Sequence, residues 1–157
     1  MKTHRKLGFD AKETKEVVNT LNLLLANLHV HYQKLRNFHW NVVGSDFFEL
    51  HAVFEEEYDQ VKLQIDEVAE RIRVFGMTPY STLKDYLEVS DIKEVGTDLP
   101  SDKMVEEVLK DFEILLSLMI DATVAASEID DVATEDLITA YIKRTEKRHW
   151  MLTSFSK

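Results

Sequence analysis

Four side chains between residues 51 and 70 have the types and spacing to hold a metal ion: His51, Glu55, Asp66 and Glu70. Imidazole and carboxylate together suit iron, manganese or zinc. The chain has no cysteine, so iron and manganese are the natural candidates. On a helix, Glu55 lies about 40° around from His51, Asp66 about 60° and Glu70 about 100°, so all four share one face. His51/Glu55 and Asp66/Glu70 are each spaced i, i+4, and each pair can converge on one ion. The two pairs stand about 22 Å apart along the axis, too far for one chain to bring both to one metal. A second copy packed antiparallel across a two-fold axis would set its Asp66/Glu70 against the first copy's His51/Glu55, making two equivalent sites. His39 stands close enough in sequence to join the His51/Glu55 end. Carboxylates stabilise a ferric product, and positions left open for peroxide or oxygen would make such a site a redox centre. Charges on a helix flank also fit a plain solvated face; the co-facial set of four, with His39 beside it, is what favours metal.

Other residues invite chemistry less strongly. Glu146 and His149 form Glu-x-x-His, a motif that builds di-metal sites inside helical bundles when it occurs twice with further Glu. It occurs once here, so Glu146 reads as a surface or helix-pairing residue and His149 as a partly buried packing residue. Asp130, Asp131, Glu135 and Asp136 cluster before the last helical segment, where acidic charge complements a helix N-terminus. Repeated around a three-fold axis they would instead form an acidic ring that draws in cations. Trp40, next to His39, is placed for redox shielding, whereas Trp150 reads as packing. Phe47, Phe48, Phe54 and Tyr58 read as core or interface. There is no Gly-rich phosphate loop, no zinc-finger spacing and no Ser/His/Asp arrangement.

The elements that must position these residues are four amphipathic helices. The first spans about 11–40, with a seam at Val18, Leu21, Leu25, Leu28, Tyr32, Leu35 and His39. Asp10 and Glu13 resemble a capping box at its start. The second spans about 47–75, with Phe54, Tyr58, Val61, Ile65, Val68, Ile72 and Phe75 inward. Asp46 and Glu49 are its expected cap and Gly76 its stop. The third spans about 101–128 after Pro100, and the fourth, with a weaker seam, about 134–155. Short joins at 41–46 and 129–133 force antiparallel neighbours. The long join, 76–100, can run back along helices roughly 40 Å long, making helices two and three parallel. That is ferritin-like connectivity. Thr82 to Val89 is expected to form a short extra helix within it. The fold class is therefore all-α, a four-helix bundle with one long crossover, in a single domain over residues 1–157.

Composition narrows the function. The formal charge of −10 opposes diffuse binding to nucleic-acid phosphates and suits cations as partners. The one basic run, Lys2, His4, Arg5 and Lys6, reads as a solvated tail. No signal peptide or membrane span is apparent, and the lack of cysteine fits a reducing compartment, so a cytoplasmic location is expected.

The stretch His39-Trp40-Asn41-Val42, Gly44, Phe47, Leu50-His51, Phe54-Glu55-Glu56 and Tyr58, followed by Asp66-Glu67-Val68-Ala69-Glu70-Arg71, resembles the Dps family of mini-ferritins. Residues 146–152 and the short crossover helix resemble it too, so the likeness covers nearly the whole chain. The resemblance implies a hollow dodecamer storing ferric mineral, with ferroxidase sites at two-fold interfaces and hydrogen peroxide preferred over oxygen. Its ligands would be His39, His51 and Glu55 of one subunit with Asp66 and Glu70 of the partner. Asp130, Asp131 and Asp136 are similar in place to acidic pore residues. Many members carry Asp where this chain has Glu55, which changes reach rather than donor chemistry. Members that coat DNA often use a lysine-rich tail; here weak or absent DNA binding is expected. The alternatives are a nucleoid-binding protein with a vestigial or structural metal site, or a bundle that only oligomerises or docks a partner.

Overall fold

The computed structural model describes residues 9–157; the basic run at Lys2 to Lys6 lies outside them. Five helices and no strand are present among the described residues: α1 (Lys15–Asn41), α2 (Phe47–Val74), α3 (Leu83–Val89), α4 (Ser101–Ser127) and α5 (Val132–Phe155). The expected spans and the short crossover helix are thus observed, within a few residues at their ends.

Cross-helix pairs show the chain directions. His31 and Lys34 of α1 meet Asp111 and Glu107 of α4 in reversed order, so these two helices are antiparallel. Glu57 and Arg71 of α2 likewise meet Arg144 and Thr134 of α5 in reversed order. Since α1 and α2 are joined by a tight turn, α2 and α4 run parallel. The crossover that makes this possible is fastened to α1 by asparagines. Asn22 Oδ1 accepts from the Tyr80 N–H at 2.9 Å. Asn27 Oδ1 accepts from the N–H groups of Asp91 and Ile92 at 3.0 and 2.9 Å and from the Ser90 hydroxyl at 3.1 Å. Asn37 donates to the Gly96 carbonyl at 3.1 Å. Asn27 is fully buried, so it supplies partners that water cannot reach.

The apolar seams close on one core. Leu21, Leu25, Leu28 and Leu35 of α1, Phe54, Val68 and Ile72 of α2, and Val108, Met119 and Ala122 of α4 are all fully buried. Each fully buried Leu or Phe side chain contributes about 1.5–3 kcal/mol.

Helix ends follow local chemistry with two corrections. Asp10 and Glu13 form half of the expected box: the Asp10 N–H donates to Glu13 Oε2 at 3.0 Å. Asp10 itself accepts from the N–H of Lys12, closing a separate turn, so α1 begins only after Thr14. Asp46 precedes α2 but makes no side-chain cap bond. Gly76 ends α2 in the left-handed region, φ 75°, with Gly76 N–H donating to Arg73 O and Met77 N–H to Ile72 O. The same motif ends α4 at Asp130, φ 58°, an unusual place for a residue with a side chain.

Candidate metal centre

The turn between α1 and α2 brings His39 and His51 face to face. Their rings stack with centroids 3.8 Å apart and planes 17° from parallel. Each Nδ1 donates to the other residue's backbone carbonyl at 2.7 Å. A carbonyl can only accept, so both rings carry their proton on Nδ1 and present the Nε2 lone pair, which no described residue engages. That is how a metal-ligating histidine is held: one nitrogen is committed to a fixed acceptor and the other is free. The rings are also clamped from the sides. Phe47 stacks on His51 at 4.9 Å, and Tyr58 stands edge-on to His39 at 5.3 Å. His39 is buried and His51 half-buried, so little ring freedom remains to be lost on binding an ion.

Glu55 follows one turn after His51 and is exposed. Burial holds the Tyr58 phenol above its ordinary pKa, and the neighbouring negative charges of Glu55 and Asp59 push it the same way. Tyr58 therefore stays a neutral phenol beside the histidines.

Asp66 and Glu70 lie farther along α2, both exposed and adjacent in the i, i+4 sense. The structure does not bring them to the histidines of the same chain. Among the described residues no three His, Asp or Glu side chains gather around one point. One chain thus presents two half-sets: the fixed imidazoles of His39 from α1 and His51 from α2 with the Glu55 carboxylate, and, farther along α2, the two carboxylates of Asp66 and Glu70.

The acidic cluster splits. Asp130 and Asp136 are exposed. Asp131 is buried, takes a 2.6 Å bond from Arg71 and accepts from the Thr134 N–H as the cap of α5. Trp40 is 57% exposed with the Arg36 guanidinium 4.8 Å from its ring, and Trp150 is 64% exposed rather than packed. Phe54 is in the core while Phe48 is 84% exposed. Glu146 is exposed, and His149 faces Glu113 of α4 across 3.6 Å, not Glu146.

Sequence reasoning missed a second polar assembly. In the bundle interior, Asp111 accepts from His31 Nδ1 and from Lys34 Nζ, both at 2.9 Å. Buried Glu57 is bound by Arg144 through two bonds, at 3.1 and 2.9 Å, and by Arg148 at 2.6 Å. A signal was available. His31 falls between Leu28 and Leu35, and Glu57 between Phe54 and Val61, at spacings that keep both on the apolar seams.

Comparison with known proteins places the chain among relatives of the same build. The ferritin-like domain family matches residues 18–157. The chain is 41% identical to DNA protection during starvation protein 2 of Bacillus anthracis, over 90% of this chain and 97% of that one. It is 43% identical to the DNA protection during starvation protein of Brevibacillus brevis, over 86% and 91%. Its structure is similar to that of a Dps protein from Vibrio cholerae O1, with TM-score 0.93 and 38% identity over 96% of this chain and 95% of that one. That protein is described as a member of a broad superfamily of ferritin-like diiron-carboxylate proteins.

Proposed function

The chain belongs to the Dps family of ferritin-like proteins, and from that premise we propose that it binds ferrous iron between paired subunits, oxidises it with hydrogen peroxide and stores the ferric product. The observation that carries this reading is the reciprocal His39/His51 bonding, which leaves two aligned Nε2 lone pairs with no other task. Iron is the substrate. His39, His51 and Glu55 of one subunit would bind it together with Asp66 and Glu70 of a second copy lying antiparallel. Neutral imidazoles admit the ferrous ion, and the carboxylates offset the extra charge of the ferric one.

The chemistry is a two-electron reduction: two ferrous ions and two protons convert one peroxide to two waters. Supplying both electrons together avoids releasing hydroxyl radical. Twelve subunits around a hollow interior would hold the mineral, with Asp130 and Asp136 lining an entry for cations; Asp131 serves the fold there instead. Oxygen is the alternative oxidant, and manganese or zinc would compete for the same donors. Relatives are named for DNA protection. In a chain of charge −10 that protection is better served by removing iron and peroxide than by coating phosphates.

Subunit mixing tests the shared site. His51→Ala and Asp66→Ala homo-oligomers should each oxidise iron slowly. Dissociated and reassembled together, the pair should recover activity, because each mixed two-fold pair regains one intact site of its two. Absence of recovery, with mixing verified by mass spectrometry, would place all ligands in one chain and defeat the proposal.

A further inference from the structure

The charge of −10 is not spread evenly over the bundle. Lys143, Arg144, Lys147 and Arg148 are interrupted by Thr145 and Glu146, yet on a helix the four cations fall within about 140° of one another. Arg144, Lys147 and Arg148 line a cleft of about 320 Å³ between α5 and α2, together with Met151 and Glu56. Buried Glu57 fixes both guanidiniums. It accepts from Arg144 at 3.1 and 2.9 Å and faces Arg148 Nε at 2.6 Å. A guanidinium carries five N–H donors, so most of those on Arg144 are left unused by Glu57. Glu56 is 61% exposed and reaches a terminal nitrogen of Arg148 at 2.8 Å. Lys147 is exposed and has no partner among the described residues. Pairing with Glu57 needs one cation, and the cleft has three. Against Glu56 and Glu57 they leave a local charge of +1, which becomes +2 once the Glu56 side chain turns out to solvent.

We propose that this cleft binds inorganic phosphate. Planar guanidiniums match a tetrahedral oxyanion with paired N–H donors, and here a buried carboxylate holds them in place before the ion arrives. Lys147 adds a mobile ammonium at the rim. Glu56 is the group displaced: an exposed ion pair contributes little, so its carboxylate is exchanged for phosphate at small cost. A free phosphate ion suits the cleft better than a nucleic-acid backbone does. It brings up to two negative charges to one point, whereas a polymer must also approach the rest of a strongly acidic chain. Glu56 is adjacent to Glu55 on α2, so the bound ion sits beside the donor set proposed for iron. Ferric ions leaving that set meet phosphate there and precipitate with it, the ferric product being stored in part as phosphate. That use of the ion rests on the ferroxidase reading above; phosphate binding itself does not.

The test is titration of the assembled, metal-free protein with inorganic phosphate at low ionic strength, followed by calorimetry and phosphorus NMR. The expected result is saturable binding, each subunit taking a single ion, with sulfate competing for the same place. K147A should weaken binding about tenfold, the loss of one hydrogen bond to a charged group. E56Q should tighten it several-fold by releasing Arg148. Both positions are exposed, so the two variants keep the fold and move affinity in opposite directions. No saturable binding, or binding that K147A leaves unchanged, would overturn the inference. Displacement of phosphate by a short DNA duplex at equal phosphate concentration would also overturn it and assign the cleft to a nucleic-acid backbone. Added iron and peroxide then test the use of the ion: the phosphorus-to-iron ratio of the retained product should fall in K147A, and an unchanged ratio would sever the cleft from the mineral. Iron that stays ferrous in the parent protein would defeat the ferroxidase reading and leave the phosphate site standing.

Discussion

Two polar regions of this bundle both use His, Asp and Glu and do opposite things, because only the interior one adds Lys and Arg. At the α1–α2 turn, His39 and His51 commit one nitrogen each to a carbonyl and keep the other uncommitted, and Glu55 there, with Asp66 and Glu70 farther along α2, stays exposed without a partner among the described residues. In the interior, Asp111 answers His31 Nδ1 and Lys34, Lys34 also meets Glu107, and Glu57 answers Arg144 and Arg148; His31 Nε2 has no partner among the described residues but is sealed from solvent. There the Lys34 ammonium sits 2.9 Å from Asp111, taking up the carboxylate that a metal would need. A donor is useful for binding only when the fold has not already used it. The interior set therefore holds helices together, and the exposed set stays open for the iron binding proposed above.

The sharpest way to break this contrast is to remove one carboxylate from each region. Asp66→Ala should cost more activity than the roughly 10–100-fold loss typical of an outer partner of a metal ligand, read as initial rates of ferrous oxidation. Its urea unfolding midpoint should barely move, because an exposed substitution changes stability by within about 0.5 kcal/mol. Asp111→Ala should do the reverse. It strands the buried His31 and leaves the buried Lys34 with only Glu107 at 3.4 Å, costing about 3–5 kcal/mol in urea unfolding. The complementary swap sharpens the point: His31→Leu, Lys34→Met and Asp111→Leu together should be neutral or stabilising by about 1–4 kcal/mol. Were the triple variant to lose iron oxidation while staying folded, the interior set would have a part in the chemistry.

A smaller effect is expected where the crossover is tied down. Asn27→Ala orphans the N–H groups of Asp91 and Ile92, while the Ser90 hydroxyl keeps the Ile92 carbonyl, and each buried orphan costs about 1–3 kcal/mol when water cannot replace the partner. Hydrogen exchange should rise first at Asp91 and Ile92, ahead of the α4 amides.

The smallest effect concerns pH. His29 stacks on Tyr86 at 3.8 Å, and burial lowers its pKa from the ordinary 6.5. The unfolded chain then takes up a proton before the folded one does. Stability contributed by the neutral ring is full above pH 6.5 and is lost as pH falls from there through the lowered folded value. His29→Phe should flatten the loss of stability on acidification in that window, measured by thermal unfolding at stepped pH. An unchanged slope would assign the acid sensitivity elsewhere.

The helices and their connectivity could be read from residue order because they rest on local rules. A seam repeating every three or four residues specifies which face turns inward, and a join too short to span the bundle dictates an antiparallel neighbour. The long 76–100 segment dictates the crossover in the same way, and Thr82 capping Asp85 marks its short helix. The two half-sets on α2 were legible too, since angle and rise along one helix follow from numbering alone. Tertiary structure decided what those rules cannot reach. The tautomers of His39 and His51 depend on carbonyls twelve residues away. Asp131 looks like its neighbours Asp130 and Asp136 in sequence, yet Arg71, sixty residues back, draws it into the interior. Charges on the seams at His31 and Glu57 became buried ion pairs because partners on α4 and α5 met them there. Each of these outcomes turns on a contact between helices distant in sequence, and no local periodicity records which partner arrives.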